Sequence, residues 1–403
     1  MTGLPIGAAP FSAADLAGVL DPEASGSMLP ARAYTGADVL EFEREHFFRG
    51  GWVSAGRSAD LVQAGARRAV RAAGDSILLV RDDDGRLRAF YNVCAHRGSE
   101  LLACGAHAHR SQINCPYHAW TYALDGSLTA TPRYEPPPGF DMSEHGLTPV
   151  RVEEWHGWAM VNLSGAAPSL ADHLGEFETV LAPYGAADLV AAARHDYTMQ
   201  ANWKLAAENY QECFHCSLIH PELCRVSAPE SGSNYDLTGA WVGGTMELAP
   251  NAETMSMSGE SDGVRLPGLD DAQAREVVYA GLFPNFLVSL HPDYVMTHRI
   301  EPVSPGVSEV ECEWLFAPEA VARPDFDPAY AVDFWDVTNR QDWTACENVQ
   351  RGLASRGFRP GPFGADEDAV QRFTAMVARG YLGQPLDAGA NSDAGRLREG
   401  SVG

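Results

Sequence analysis

Two short runs, Cys94-Ala95-His96 and Cys115-Pro116-Tyr117-His118, each pair one thiol with one imidazole, and 18 residues separate them. Four metal-ligating side chains at that spacing require two loops to converge, which constrains the fold more than any other feature of the chain. The flanking pattern supplies such loops: apolar runs at 76–81 and 87–93 flank Asp84-Gly85, and runs at 118–124 and 128–131 flank Asp125-Gly126. Asp-Gly between alternating runs predicts a hairpin, so this region reads as mostly antiparallel β. Two Cys and two His fit tetrahedral zinc. They also fit a [2Fe–2S] cluster in which two Cys hold one iron and two His the other. Each loop gives one of each ligand, with unequal gaps, whereas zinc fingers pair like with like, so the cluster is favoured. Cys104 has no partner in the pattern and reads as a buried thiol; His107 and His109 read as loop histidines.

A second constellation lies at 202–221, where His215 and His220 stand five apart. On a regular helix that spacing turns the rings about 140° apart, so the helix must end or bulge between them. Pro221 agrees with an ending. A third ligand is offered by the helix predicted at 330–353, where Ala331, Trp335, Thr338, Ala345, Cys346, Val349 and Leu353 form an apolar stripe. Asp342 lies on that stripe. A buried carboxylate needs an arginine or a metal, and neither Arg340 nor Arg351 is three or four positions away. Two His and a carboxylate with open positions suit Fe(II) and O2.

At 403 residues and 45% hydrophobic, the chain can build two or three domains. A net charge of −25 argues against nucleic acid as a partner. No apolar run reaches membrane-spanning length and the first twenty residues lack an export signal, which points to the cytoplasm. Eight cysteines are no disulfide framework. Ten arginines against six acids lie between Arg49 and His118, so an acidic electron donor is expected to dock on this stretch, with Arg67 and Arg68 among its contacts. The pattern divides the chain into a helical lead-in at 1–47, a β domain at 48–165, a linker at 166–185, a second domain at 186–384 and a disordered tail at 385–403. The second domain has strands at 279–290, 294–300 and 309–316 and helices at 202–220 and 330–353, making the fold class α+β.

Over residues 40–385 these motifs resemble the α subunits of Rieske non-haem iron oxygenases. Tyr117 and Gly98 stand near the positions where respiratory Rieske proteins carry extra cysteines, so the cluster site looks like the oxygenase kind. The runs Asn209-Tyr210-x-Glu212-x-x-His215-x-x-x-x-His220 and Asp342-x-x-x-Cys346-Glu347-x-Val349-Gln350 look like that family's iron motif. The resemblance implies that Cys94, His96, Cys115 and His118 hold the cluster and that His215, His220 and Asp342 hold mononuclear Fe(II). It implies that Glu212 bridges to His118 of a neighbouring chain in a head-to-tail homotrimer. The catalytic domain would be a helix-grip fold of the START/Bet v 1-like kind. O2 would be the cosubstrate, with electrons from NAD(P)H reaching the chain through a separate reductase or ferredoxin, since no flavin or nicotinamide motif appears. Cys346–Gly352 and His291-Pro292-Asp293-Tyr294 look closest to the choline, glycine betaine and carnitine branch, which hydroxylates or N-demethylates quaternary ammonium compounds. Trp241, Tyr279, Phe283 and Phe286 are the expected pocket aromatics. An aromatic ring-hydroxylating dioxygenase is the alternative, and a non-catalytic iron–sulfur carrier or zinc-stabilised binding protein a more distant one.

Overall fold

A computed structural model describes residues 9–21 and 26–387. The tail expected to be disordered lies outside the described residues beyond 387, as does the start of the lead-in. The chain divides into two compact units, Arg44–Leu170 and a second formed by Met1–Glu43 with Ala171–Gly403.

The first unit contains β1 (Val53–Arg57), β2 (Ala66–Ala72), β3 (Asp75–Arg81), β4 (Leu87–Tyr91), β5 (His107–His109), β6 (Ile113–Asn114), β7 (Thr121–Tyr122), β8 (Leu128–Ala130), β9 (Pro149–Trp155) and β10 (Trp158–Asn162). Its larger sheet runs β1-β10-β9-β4-β3-β2-β5, and β6-β7-β8 form a smaller one. Both Asp-Gly hairpins form. Asp82 accepts the N–H groups of Asp84 and Arg86 across the first turn. In the second, Gly126 has φ +89°, and a side chain there would overlap the Phe90 ring, so only glycine fits. Leu78, Phe90, Trp120, Tyr122 and Leu124 form a core that includes Cys94 and Cys115. The cysteines are thus fixed by apolar packing before any metal arrives.

Arg67 and Arg68 do not face a docking partner. Each is 4% exposed; Arg67 donates to Gln112 O, and Arg68 to Ala55 O and Arg57 O. Their charge serves backbone carbonyls within the sheet. Cys104, expected to be buried, is exposed, because it sits in the turn closed by Ala106 N–H to Ala103 O.

The second unit carries β11 (Val190–Met199), β12 (Ser233–Asn234), β13 (Trp241–Glu247), β14 (Glu276–Leu282), β15 (Phe286–Leu290), β16 (Tyr294–Ser304) and β17 (Val307–Phe316). They form one antiparallel sheet, ordered β11-β17-β16-β15-β14-β13-β12. The strand expected at 279–290 is two strands of a hairpin, because Pro284 cannot donate to a ladder and the chain turns there. The helices Trp203–Tyr210, Ala329–Leu353 and Asp368–Tyr381 belong to the same unit.

Helix Ala37–Glu43 brings in Glu43, which is fully buried. The Glu43 carboxylate accepts from Lys204 Nζ at 2.6 Å, from Trp203 Nε1 at 2.8 Å and from the Tyr381 hydroxyl. One buried charge pair therefore pins the start of the Trp203–Tyr210 helix, and the remainder of that helix is aimed by it.

Candidate active site

In the first unit, Cys94 and Cys115 are 2% and 4% exposed, whereas His96 and His118 are half-buried. The two imidazoles face one another at 4.9 Å between centroids, and His96 stacks on Trp120 at 4.6 Å. Nδ1 of each ring is buried without a hydrogen-bond partner, a cost that a metal bond would remove. The Tyr122 hydroxyl lies 3.2 Å from Cys94 Sγ and accepts the Ala95 N–H. Burial works against the Cys115 thiolate, yet the backbone N–H groups of Tyr117 and His118 hold it below the ordinary thiol range; burial pushes the Cys94 thiol up. Two shielded sulfurs and two outer imidazoles fit a [2Fe–2S] cluster of the mixed-ligand kind.

The helix expected at 202–220 breaks after Tyr210 and resumes at Cys216–Ile219. Glu212 causes the break by accepting the N–H groups of Phe214 and His215 that a continuing helix would use itself. His215 and His220 then flank the short helix, and their rings meet at 5.2 Å instead of diverging.

Asp342 Oδ1 lies 2.9 Å from His220 Nε2 and 3.4 Å from His215 Nε2. Three donors thus converge on one point. The far nitrogens are engaged: His215 Nδ1 donates to Glu212 Oε1 at 2.5 Å, and His220 Nδ1 to Gln341 Oε1 at 2.7 Å, while Gln341 donates onward to Glu222. With each Nδ1 proton so held, both imidazoles can turn Nε2 lone pairs inward once a cation takes the place of the protons shared with Asp342, the tautomer a metal requires. Burial disfavours charge on both partners. Contacts to Asp342 and Glu212 nonetheless push His215 up to about 9, and the two imidazoles hold Asp342 below the usual carboxylate range. Without a cation, a protonated ring offsets the Asp342 carboxylate. With one, that proton is displaced.

Among the described residues, His215, Cys216 and His220 bring ligand atoms within 4.8 Å of one another, but Cys216 is joined to Cys213 by a disulfide across the His215 turn. The low cysteine count gave no sign of that bond. The apolar stripe on the Ala329–Leu353 helix is buried at Ala331, Trp335, Thr338, Cys346 and Leu353, whereas Val349 is 41% exposed. At that end Glu347 and Gln350 accept the N–H groups of Gln200 and Asn202, so the contact face has rotated past Val349.

The three converging residues line a cavity of about 580 Å³. Its aromatic lining is Tyr210, Tyr279 and Trp335, with ring centroids 5.8 Å and 6.2 Å apart in sequence around it, together with the exposed Phe214. Glu230, Asp366 and Asp368 also line it and are exposed, and no lysine or arginine does so among the described residues. Of the four expected aromatics only Tyr279 lines this space. Trp241 and Phe286 both pair with Leu282, which places them on the opposite sheet face from Tyr279. Trp241 stacks on Phe177, and Phe283 packs on Trp203 and Phe373. Tyr210 and Trp335 replace them; both were visible in the sequence, beside or on the two motif helices.

Residues 186–383 match the family model for the ring hydroxylating alpha subunit (catalytic domain), and residues 51–150 match the Rieske [2Fe-2S] domain. The glycine betaine monooxygenase oxygenase subunit of Chromohalobacter salexigens is 30% identical, over 89% of this chain and 86% of its own. The carnitine monooxygenase oxygenase subunit of Escherichia coli K12 is 33% identical, over 82% of this chain and 85% of its own. A crystal structure of the quaternary ammonium Rieske monooxygenase CntA superposes with a TM-score of 0.78 at 27% identity, covering 90% of this chain and 98% of that one.

Proposed function

This chain belongs to the Rieske ring-hydroxylating oxygenase α subunits, and from that premise we propose that it oxidises a quaternary ammonium compound at a mononuclear iron held by His215, His220 and Asp342. The single observation that carries this reading is a three-donor site with correctly polarised imidazoles opening onto an aromatic, acid-rimmed cavity. The family carries a Rieske cluster and a mononuclear iron; Cys94, His96, Cys115 and His118 hold the cluster here. When bound, these groups supply one-electron relay and O2 activation.

The chain's own residues position the substrate. Tyr210, held by Ser289 Oγ at 2.6 Å, stands with Tyr279 and Trp335 as ring faces that attract a methylated cation. The carboxylates of Glu230, Asp366 and Asp368 raise its local concentration. One oxygen atom enters an N-methyl C–H bond and the other leaves as water, consuming two electrons and two protons. The hydroxymethylammonium product then loses its hydroxyl proton to solvent as its C–N bond breaks, giving formaldehyde and a tertiary amine.

Electrons come from a partner reductase or ferredoxin using NAD(P)H, and we take the compartment to be the cytoplasm. Phe214, in the turn after Glu212, and Leu218, on the helix that follows, are 69% and 85% exposed, and Tyr117 beside His118 is 57% exposed. A head-to-tail homotrimer covers these apolar groups and sets His118 of one chain against Glu212 of the next. The test is O2 uptake with a reductase against betaines, choline and small aromatic acids. Uptake matched by formaldehyde is expected with ammonium compounds; uptake coupled only to an aromatic acid, without formaldehyde, would overturn the reading.

A further inference from the structure

Two polar groups in the cavity wall have no hydrogen-bond partner among the described residues. Gln211 is 6% exposed, and its side-chain Nε2 is buried without an acceptor. The Tyr279 hydroxyl is likewise buried and unpartnered. Both residues line the cavity. An unmet buried donor costs on the order of 1–3 kcal/mol, so two in one wall call for an occupant.

Their placement is built by β14. Tyr279 and Gly281 lie two apart on that strand and therefore share a face. The Gln211 amide rests against Gly281, where any Cβ would overlap Nε2. Glycine at this position is what lets the amide stand beside the tyrosine. Gln211 itself is aimed by its backbone, whose N–H closes the end of the Trp203–Tyr210 helix on Glu208 O. Burial pushes the Tyr279 phenol above its ordinary range, so it stays a donor.

Resting on the quaternary ammonium reading, we infer that Gln211 Nε2 and the Tyr279 hydroxyl bind a neutral oxygen of the substrate, making these residues specificity determinants for an ammonium alcohol over a betaine. The charge of the wall decides between the two. Beyond Glu212 and Asp342, whose charge the iron site offsets, Glu230, Asp366 and Asp368 line the cavity, and no lysine or arginine does so among the described residues. A substrate carboxylate would enter a field of like charge with only two neutral donors to receive it. A hydroxyl needs no counter-charge.

The test uses the holoenzyme with its reductase and three probes: choline, glycine betaine and tetramethylammonium, which has no oxygen. Formaldehyde release with matched O2 uptake gives kcat/KM. Wild type is expected to favour choline over glycine betaine by at least about tenfold, the size of one hydrogen bond. Tyr279→Phe keeps the ring, and Gln211→Met keeps the length. Each is expected to lower kcat/KM for choline about tenfold, mainly through KM; Gln211→Met is expected to leave tetramethylammonium within about twofold, and Tyr279→Phe, which also alters a cation-facing ring, to lower tetramethylammonium by less than it lowers choline. Glycine betaine equal to or better than choline in wild type would overturn the inference, as would variants that depress tetramethylammonium as much as choline. If no probe drives coupled uptake, the ammonium reading itself falls; if all three do so without these differences, only the subsite falls.

Discussion

Gln341 touches no proposed substrate position, yet it fixes His220 by accepting its Nδ1 proton and is itself held by Glu222. Replacing it by leucine frees the ring to rotate or change tautomer. Gln341→Leu is therefore expected to weaken iron binding roughly 10–100-fold, read by titrating Fe(II) into protein stripped of its mononuclear iron but retaining the cluster, with the cluster spectrum unchanged. Unchanged affinity would remove Gln341 from the site. At this scale the sequence was most informative where candidate ligands follow one another at fixed spacing, as in Cys94, His96, Cys115 and His118, or where a residue violates its surroundings, as Asp342 does. It was silent on Gln341, Glu222 and Gln211, because an amide's partner is set by which helix or strand comes to face it. It misled on Arg67 and Arg68: a count of arginines measures charge, and their guanidinium groups are spent on carbonyls inside the sheet.

The Trp203–Tyr210 helix aims Gln211 and Glu212, and it is anchored by groups that resist burial. Glu208 is buried and accepts from Tyr34 at 2.7 Å. Burial raises it to about 7, more than the Tyr34 hydrogen bond and nearby Lys204 lower it. A carboxyl whose folded value exceeds its unfolded value stabilises the fold below the unfolded value, and loses that contribution as pH climbs through the folded one. Between about pH 5 and pH 8 Glu208 thus removes roughly 3 kcal/mol of stability. Glu208→Gln keeps the acceptor for Tyr34 and is expected to flatten the decline of Tm over that interval, leaving the variant more stable than wild type at pH 8. A parallel decline in both would show that Glu208 is not the titrating group. The Ala329–Leu353 helix matches its predicted span, since twenty-five residues at one period outweigh local ambiguity. The 202–220 segment did not, because Glu212 competes for backbone N–H groups in a way periodicity does not register. Residues 279–290 hid a turn for a related reason: apolar side chains continue through Pro284 although the chain reverses.

Across the whole molecule, α+β architecture and two metal sites follow from patterns that survive without tertiary knowledge, namely Asp-Gly hairpins, ligand spacing and long amphipathic helices. Cavity aromatics do not, because strand register decides which face a ring takes, and a shift of one residue exchanges Trp241 for its neighbour. In the proposed head-to-tail assembly the cluster ligands of one chain would stand beside the iron ligands of the next, and turnover would belong to the assembly. Co-assembling two variants tests this most directly: His118→Ala, which disables the cluster, and Asp342→Ala, which disables the iron site. Each alone is expected to show no substrate-coupled O2 uptake, and mixed assemblies are expected to recover it wherever an intact cluster adjoins an intact iron site. Activity in Asp342→Ala alone, or no recovery in mixed assemblies of confirmed composition, would contradict the account.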